Sequence, residues 1–125
     1  MDIKSVAAQI RTTNLNESLD FYVSKLGLEL DFRYEDFYAG VRIADDQVVH
    51  FKLVDDSDPS IDYVREGDHL HLYFQIDNVE AYADLLQSRG VEFISGIDTT
   101  PWGTREFYIV DNQGYTLCFA QIQDS

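Results

Sequence analysis

The chain is 125 residues long and 45% hydrophobic, enough for one folded domain with a buried core. Its formal net charge of −14 argues against nucleic acid and anionic membrane surfaces as partners, and fits either a cationic ligand or solubility alone. No apolar run is long enough to cross a membrane, Met1-Asp2-Ile3-Lys4 lacks a signal-peptide pattern, and one cysteine, Cys118, allows no internal disulfide, so a cytoplasmic location is expected.

Val6–Arg11 reads as a strand, with Val6, Ala8 and Ile10 on one face and Ala7, Gln9 and Arg11 on the other. Leu15, Leu19, Tyr22 and Leu26 recur at helical spacing, so a helix is expected from about Leu15 to Leu26, capped by Asn14 or Asn16 and stopped by Gly27. Strands are then expected at Leu28–Arg33, Phe37–Ile43 and Val48–Val54. The acidic stretch from Asp55 to Gly67 reads as a loop, with Ile61, Tyr63 and Val64 available to tuck it down.

The pattern then repeats. Leu70, Leu72, Phe74 and Ile76 alternate with His69, His71, Tyr73 and Gln75. Asp77, with Glu80 at the capping-box position, opens a second helix whose apolar stripe is Val79, Tyr82, Ala83 and Leu86, and Gly90 ends it. A strand at Val91–Ile94 precedes Pro101-Trp102-Gly103, which places the only tryptophan in a turn. Arg105–Val110 and Tyr115–Ala120 form a hairpin about Asp111-Asn112-Gln113-Gly114, with fraying expected at Gln121 and Ile122.

The expected fold is α+β: two strand–helix–strand–strand–strand (βαβββ) modules with curved mixed sheets about a cleft and helices on the outer faces. All of residues 1–125 form one domain, with module one at about 3–55, a linker at about 56–67 and module two at about 68–122. The greasy face of each first and last strand should meet its helix. Alternation then puts Ala7, Gln9, His50, Lys52, His71, Tyr73, Thr116 and Cys118 on the opposite, concave faces, unless a bulge shifts a strand by one residue.

Several stretches carry a family resemblance: Asn16-Glu17-Ser18-Leu19-Asp20-Phe21-Tyr22 through Leu26-Gly27-Leu28, Asp36 to Val41, His71 to Val79, and Trp102 to Phe107 with Asp111 and Gly114. Over nearly its whole length the chain resembles the vicinal oxygen chelate superfamily, which holds glyoxalase I, extradiol dioxygenases and bleomycin-resistance proteins. The second and last stretches are most similar to the bleomycin-resistance branch. The resemblance implies a homodimer with sites shared between chains, and places metal ligands of the family's enzymes at Ala7, His50, His71 and Cys118. Ala7 offers no donor, and Cys118 stands where Glu is usual. The resemblance therefore favours metal-free binding without a cofactor. The alternative is a zinc- or nickel-dependent lyase, isomerase or dioxygenase using His50, His71 and Cys118.

Trp102 in its turn is a candidate stacking surface for a planar or cationic ligand, with Phe37, Tyr38 and Tyr73 as further walls and His50, His71 and Cys118 alongside. Each has a plainer reading as packing, and Cys118 as a small buried residue. Arg105 and Glu106 are expected to pair across strands, Lys52 and Gln9 to orient polar ligand groups, and His71 with Glu106 or Asp36 could form a base. The leading expectation is sequestration of an aromatic, cationic small molecule at a dimer-interface groove. A protein–protein module with its groove plugged by Trp102 is a third alternative.

Overall fold

The computed structural model describes residues 1–67 and 70–123. The chain divides into two compact units, Met1–Asp62 and Tyr63–Ser125. Among the described residues no helix is long and apolar enough to cross a membrane.

The N-terminal unit runs β1 (Ala8–Thr12), α1 (Leu15–Leu19), β2 (Glu29–Tyr34), β3 (Tyr38–Ala44) and β4 (Gln47–Leu53). Asn14 is the α1 cap, its side chain accepting from the Glu17 amide at 3.0 Å, a contact worth about 1 kcal/mol. Beyond Leu19 the helix widens into π-type turns over Asp20–Lys25, which Gly27 ends at φ 82. The sheet order is β1-β4-β3-β2, with β1 and β4 parallel and the other pairs antiparallel. Ile10, Val41, Val49 and Phe51 are buried, and the Tyr22 ring of the helix packs on Phe51 at 4.7 Å between centroids. One face of the sheet is thus spent on α1, as the alternation implied. Ala7 lies just outside β1, whose pairing begins at Ala8.

The acidic segment departs from its reading as a loop. Pro59–Gly67 is a helix, α2, which spans the boundary between the units. Asp58 caps it by accepting from the Ser60 amide at 2.9 Å, and Pro59 fills the first helical position, where its missing N–H costs nothing. Ile61 is buried, whereas Tyr63 stays exposed.

The C-terminal unit contains β5 (His71–Gln75), α3 (Val79–Ser88), β6 (Phe93–Thr99), β7 (Thr104–Val110) and β8 (Thr116–Ile122), in sheet order β5-β8-β7-β6. The α3 cap is Asn78, which accepts from the Ala81 amide at 3.0 Å, rather than Asp77. Glu80 consequently takes no capping-box role and pairs with Arg105. β8 does not fray at Gln121. It continues opposite β7 to Ile122, and the Gln121 side chain accepts from the Val79 amide. Phe74, Phe119, Phe107 and Phe93 form a ladder with one ring from each strand, successive centroids lying 4.7, 5.3 and 5.3 Å apart. Tyr82 of α3 closes over Phe119 at 4.9 Å. The ladder fills the helix-covered face and leaves the residues of opposite parity on the open face.

Candidate functional site

Each unit gathers polar and aromatic side chains on the open face of its sheet. In the N-terminal unit Gln9 faces His50 in the β1–β4 register, and Gly40 of β3 lies opposite His50 on the other side. Gln9 Nε2 donates to Tyr38 Oη at 3.0 Å, and Tyr38 Oη lies 2.9 Å from His50 Nδ1. Beside these groups is a recess of about 390 Å³, lined in part by Ala7, Gln9, Asp31, Tyr38 and His50.

Phe32 joins this cluster because of an irregularity. The β2–β3 register shifts between Leu30 and Phe32, which turns Phe32 onto the Gly40 face. Its ring stands edge-on to His50 at 5.2 Å and stacks with Tyr38 at 6.1 Å. A Cβ on Gly40 would come within 2.2 Å of the Phe32 ring. Gly40→Ala should therefore drive that half-exposed ring outward. NMR should find the ring-current shift on the His50 side chain lost while the melting temperature moves little; an unchanged His50 spectrum would contradict the placement. Phe37 stays apart from the cluster, in the turn before β3, its ring edge-on to Tyr34 at 5.4 Å. Lys52 lies opposite Arg11 on β1 and Tyr38 on β3.

In the C-terminal unit His71 lies opposite Thr116, and Tyr73 opposite Cys118, as parity required. Tyr108 flanks Cys118 on its other side. His69 lies outside the described residues. The centre of the face is Glu106, a residue to which the sequence alone assigns no binding role. It is 3% exposed. Its Oε2 accepts from Thr104 Oγ1 at 2.8 Å, Tyr73 Oη at 2.9 Å and Trp102 Nε1 at 3.4 Å, while Oε1 accepts from Tyr108 Oη at 3.2 Å.

The structure corrects two expectations about Glu106. It does not pair with Arg105, because neighbours on a strand face opposite ways and Arg105 reaches Glu80 instead. Nor does it form a base with His71, since its oxygens are taken by hydroxyls and the indole. Asp36, the other carboxylate considered for that base, binds Arg33 at 3.2 Å.

Burial alone would raise the Glu106 pKa, but the bonds from Thr104, Tyr73, Tyr108 and Trp102 outweigh it and hold the carboxyl below its ordinary value of 4.5. A depressed folded-state pKa contributes stability that is full above the unfolded value and is lost as pH falls through the folded one. Wild-type stability should therefore decline as pH drops below 4.5, and Glu106→Gln should flatten that decline in acid denaturation. Parallel profiles would remove Glu106 as the cause.

Trp102 sits in the tight turn between β6 and β7, which Gly103 makes at φ 92, and is 70% exposed. Tyr73 is 59% exposed. Two aromatic surfaces thus stand open to solvent while their polar ends are tied to one carboxylate.

The match to a family model decides what this fold is. The description "Glyoxalase/Bleomycin resistance protein/Dioxygenase superfamily" fits residues 3–119. The chain belongs to this superfamily. Solved structures agree on the fold. A glyoxalase/bleomycin resistance protein/dioxygenase from Alicyclobacillus acidocaldarius is 23% identical, with 95% of this chain and 91% of that one covered and a TM-score of 0.75. TioX from Micromonospora sp. ML1 is 14% identical, with 98% of each chain covered and a TM-score of 0.72. A lactoylglutathione lyase from Agrobacterium tumefaciens is 13% identical over 96% of this chain and 95% of that one, with a TM-score of 0.71. No curated relative matches the sequence.

The superfamily's metal-ligand positions, carried onto this chain by resemblance, hold a poor donor set. Ala7 has no donor atom in its side chain, and His50, bonded to Tyr38 at Nδ1, could offer only Nε2. Burial first, then the nearby Glu106, pushes the Cys118 thiol up to about 11 against the opposing bond from Tyr108. A metal would have to displace that proton at neutral pH. Among the described residues no group of three or more His, Cys, Asp and Glu side chains could hold an ion.

Proposed function

We propose that this member of the superfamily binds a small planar aromatic molecule stoichiometrically and without a metal, in the manner of its bleomycin-resistance branch. The observation that carries the reading is the pair of exposed rings, Trp102 and Tyr73, tethered through Nε1 and Oη to one buried carboxylate. An exposed indole gains by stacking on a flat ligand, and the tethers hold the rings in place beforehand, which lowers the ordering cost of binding. His71 and Cys118 complete the proposed ligand-binding set on this C-terminal face, in a cytoplasmic homodimer with no cofactor, whereas Phe37, Tyr38 and His50, candidates from the sequence, belong to the N-terminal unit. The poor donor set supports the metal-free form of the reading over a zinc or nickel enzyme.

Trp102 is the only tryptophan, so intrinsic indole emission reports this face alone. The test is a fluorescence titration of chelator-treated protein with a panel of aromatic compounds, repeated after loading with zinc, nickel, manganese and ferrous iron. A saturable response in the metal-free protein is expected. Silence across the panel, or saturation only after metal loading, would overturn the proposal.

A further inference from the structure

We infer that Thr100 and Thr104 are positioning residues of the site: their hydroxyls lock the turn that carries Trp102, so that the indole stands in its binding pose before any ligand arrives. The inference rests on the aromatic-binding reading above and adds what fixes the indole.

The indole does not hold itself. Trp102 is exposed at the tip of its turn, and its bond to Glu106 is long at 3.4 Å. A side chain so placed changes rotamer on the nanosecond scale unless its frame is fixed. Here the frame is closed from both ends. The Thr100 amide donates to the Thr104 carbonyl at 2.8 Å, and the Gly103 amide donates to the Thr100 carbonyl at 3.3 Å. The Thr104 amide donates to Thr100 Oγ1 at 3.1 Å. The Gly103 carbonyl accepts from the Gln123 amide at 2.9 Å, just past the end of β8.

The hydroxyls extend this frame to the carboxylate, and elementary chemistry sets their direction. Glu106, held below 4.5, is ionised at neutral pH and can only accept. The proton in the 2.8 Å bond between Thr104 Oγ1 and Glu106 Oε2 therefore belongs to Thr104. A hydroxyl has one proton, so the 2.7 Å contact between Thr100 Oγ1 and Thr104 Oγ1 is filled by the proton of Thr100, whose oxygen also lies 3.3 Å from the Thr104 carbonyl. The series runs from Thr100 to Thr104 to Glu106 and ends on Oε2, the same oxygen that receives Trp102 Nε1. Turn, carboxylate and indole thus form a closed ring. Thr104 is buried, which shields its bonds from competing water.

Thr104→Val keeps the branched shape and removes the hydroxyl, whereas Thr104→Ser keeps the hydroxyl. Because Trp102 is the only tryptophan, the anisotropy decay of its emission in ligand-free protein reads the motion of this indole alone. Its nanosecond motion should grow in Thr104→Val and return toward the wild-type amplitude in Thr104→Ser. Calorimetric titration with 2-naphthol, a flat neutral probe, should show about fivefold weaker binding in Thr104→Val, the loss for a pose occupied about a fifth of the time, and recovery in Thr104→Ser. Unchanged indole motion in Thr104→Val overturns the inference. So does raised motion with undiminished affinity, or a loss that serine does not rescue, which would belong to packing. Should Thr104→Val fail to fold, Thr100→Val, at a half-buried position, takes both measurements, with the same shifts expected and the same results overturning the inference. These results leave the aromatic-binding reading standing. No binding of 2-naphthol by the wild type also overturns the inference, and silence across the whole aromatic panel overturns the aromatic-binding reading with it.

Discussion

Phe107→Ala should lower the stability of the C-terminal unit by about 3–5 kcal/mol, the range for emptying a buried aromatic site. Phe107 has no solvent exposure and stands inside the ladder, stacked on Phe93 to one side and Phe119 to the other, with Tyr82 of α3 nearby at 6.5 Å. Its removal takes contacts from two neighbouring strands and a helix at once, and flat neighbours cannot collapse into the gap without losing their own stacking. A domain of this size has about 5–15 kcal/mol in total, so the variant should approach its unfolding threshold at ambient temperature. Urea denaturation measures the loss. Phe107→Leu, which keeps much of the volume, should cost clearly less. A Phe107→Ala loss below about 1 kcal/mol would mean that the ladder is not the core of the unit.

Trp102→Ala should do the reverse, sparing the fold and removing binding. The indole is 70% exposed, and its hydrogen bond to Glu106 is long at 3.4 Å, so the stability change should stay within about 0.5 kcal/mol. Affinity for the aromatic probe that saturates the wild type should fall tenfold or more, equivalent to about 1.4 kcal/mol, in calorimetric titration. Trp102→Phe should recover part of the loss by restoring a stacking surface. Full affinity in Trp102→Ala would place the ligand elsewhere.

Much of the fold is legible in the sequence because burial imposes periodicity. Leu15, Leu19, Tyr22 and Leu26 announce α1, and Phe74 and Phe119 announce the helix-covered face of their sheet. α2 reads as a loop because its acidic composition masks a local device, Asp58-Pro59-Ser60, in which the cap and the proline outweigh the polarity of the remaining helix. Half of the C-terminal site comes from parity, with Tyr73 and Cys118 opposite each other where alternation puts them. Glu106 is within reach of the same logic. Phe107 and Ile109 are plainly core residues, so Thr104, Glu106 and Tyr108 must share the open face. Parity taken only on the first and last strand of each module passes over it. Phe32 has no such signal, because the register shift that re-aims it leaves no mark in the pattern of polar and apolar residues.

The pairing of β1 with β4 and of β5 with β8 has a consequence for how the protein is made. In each sheet the strand that is synthesised first sits at an edge, and its sole strand partner is the one synthesised last. During translation β5 therefore waits with its backbone unpaired until β6, β7 and β8 have all emerged. The last three strands of each unit can pair in turn as they emerge, but the first cannot join them until the end. Each sheet is completed by one late pairing between strands distant in sequence, and until then the last strand presents an unpaired edge to wrong partners.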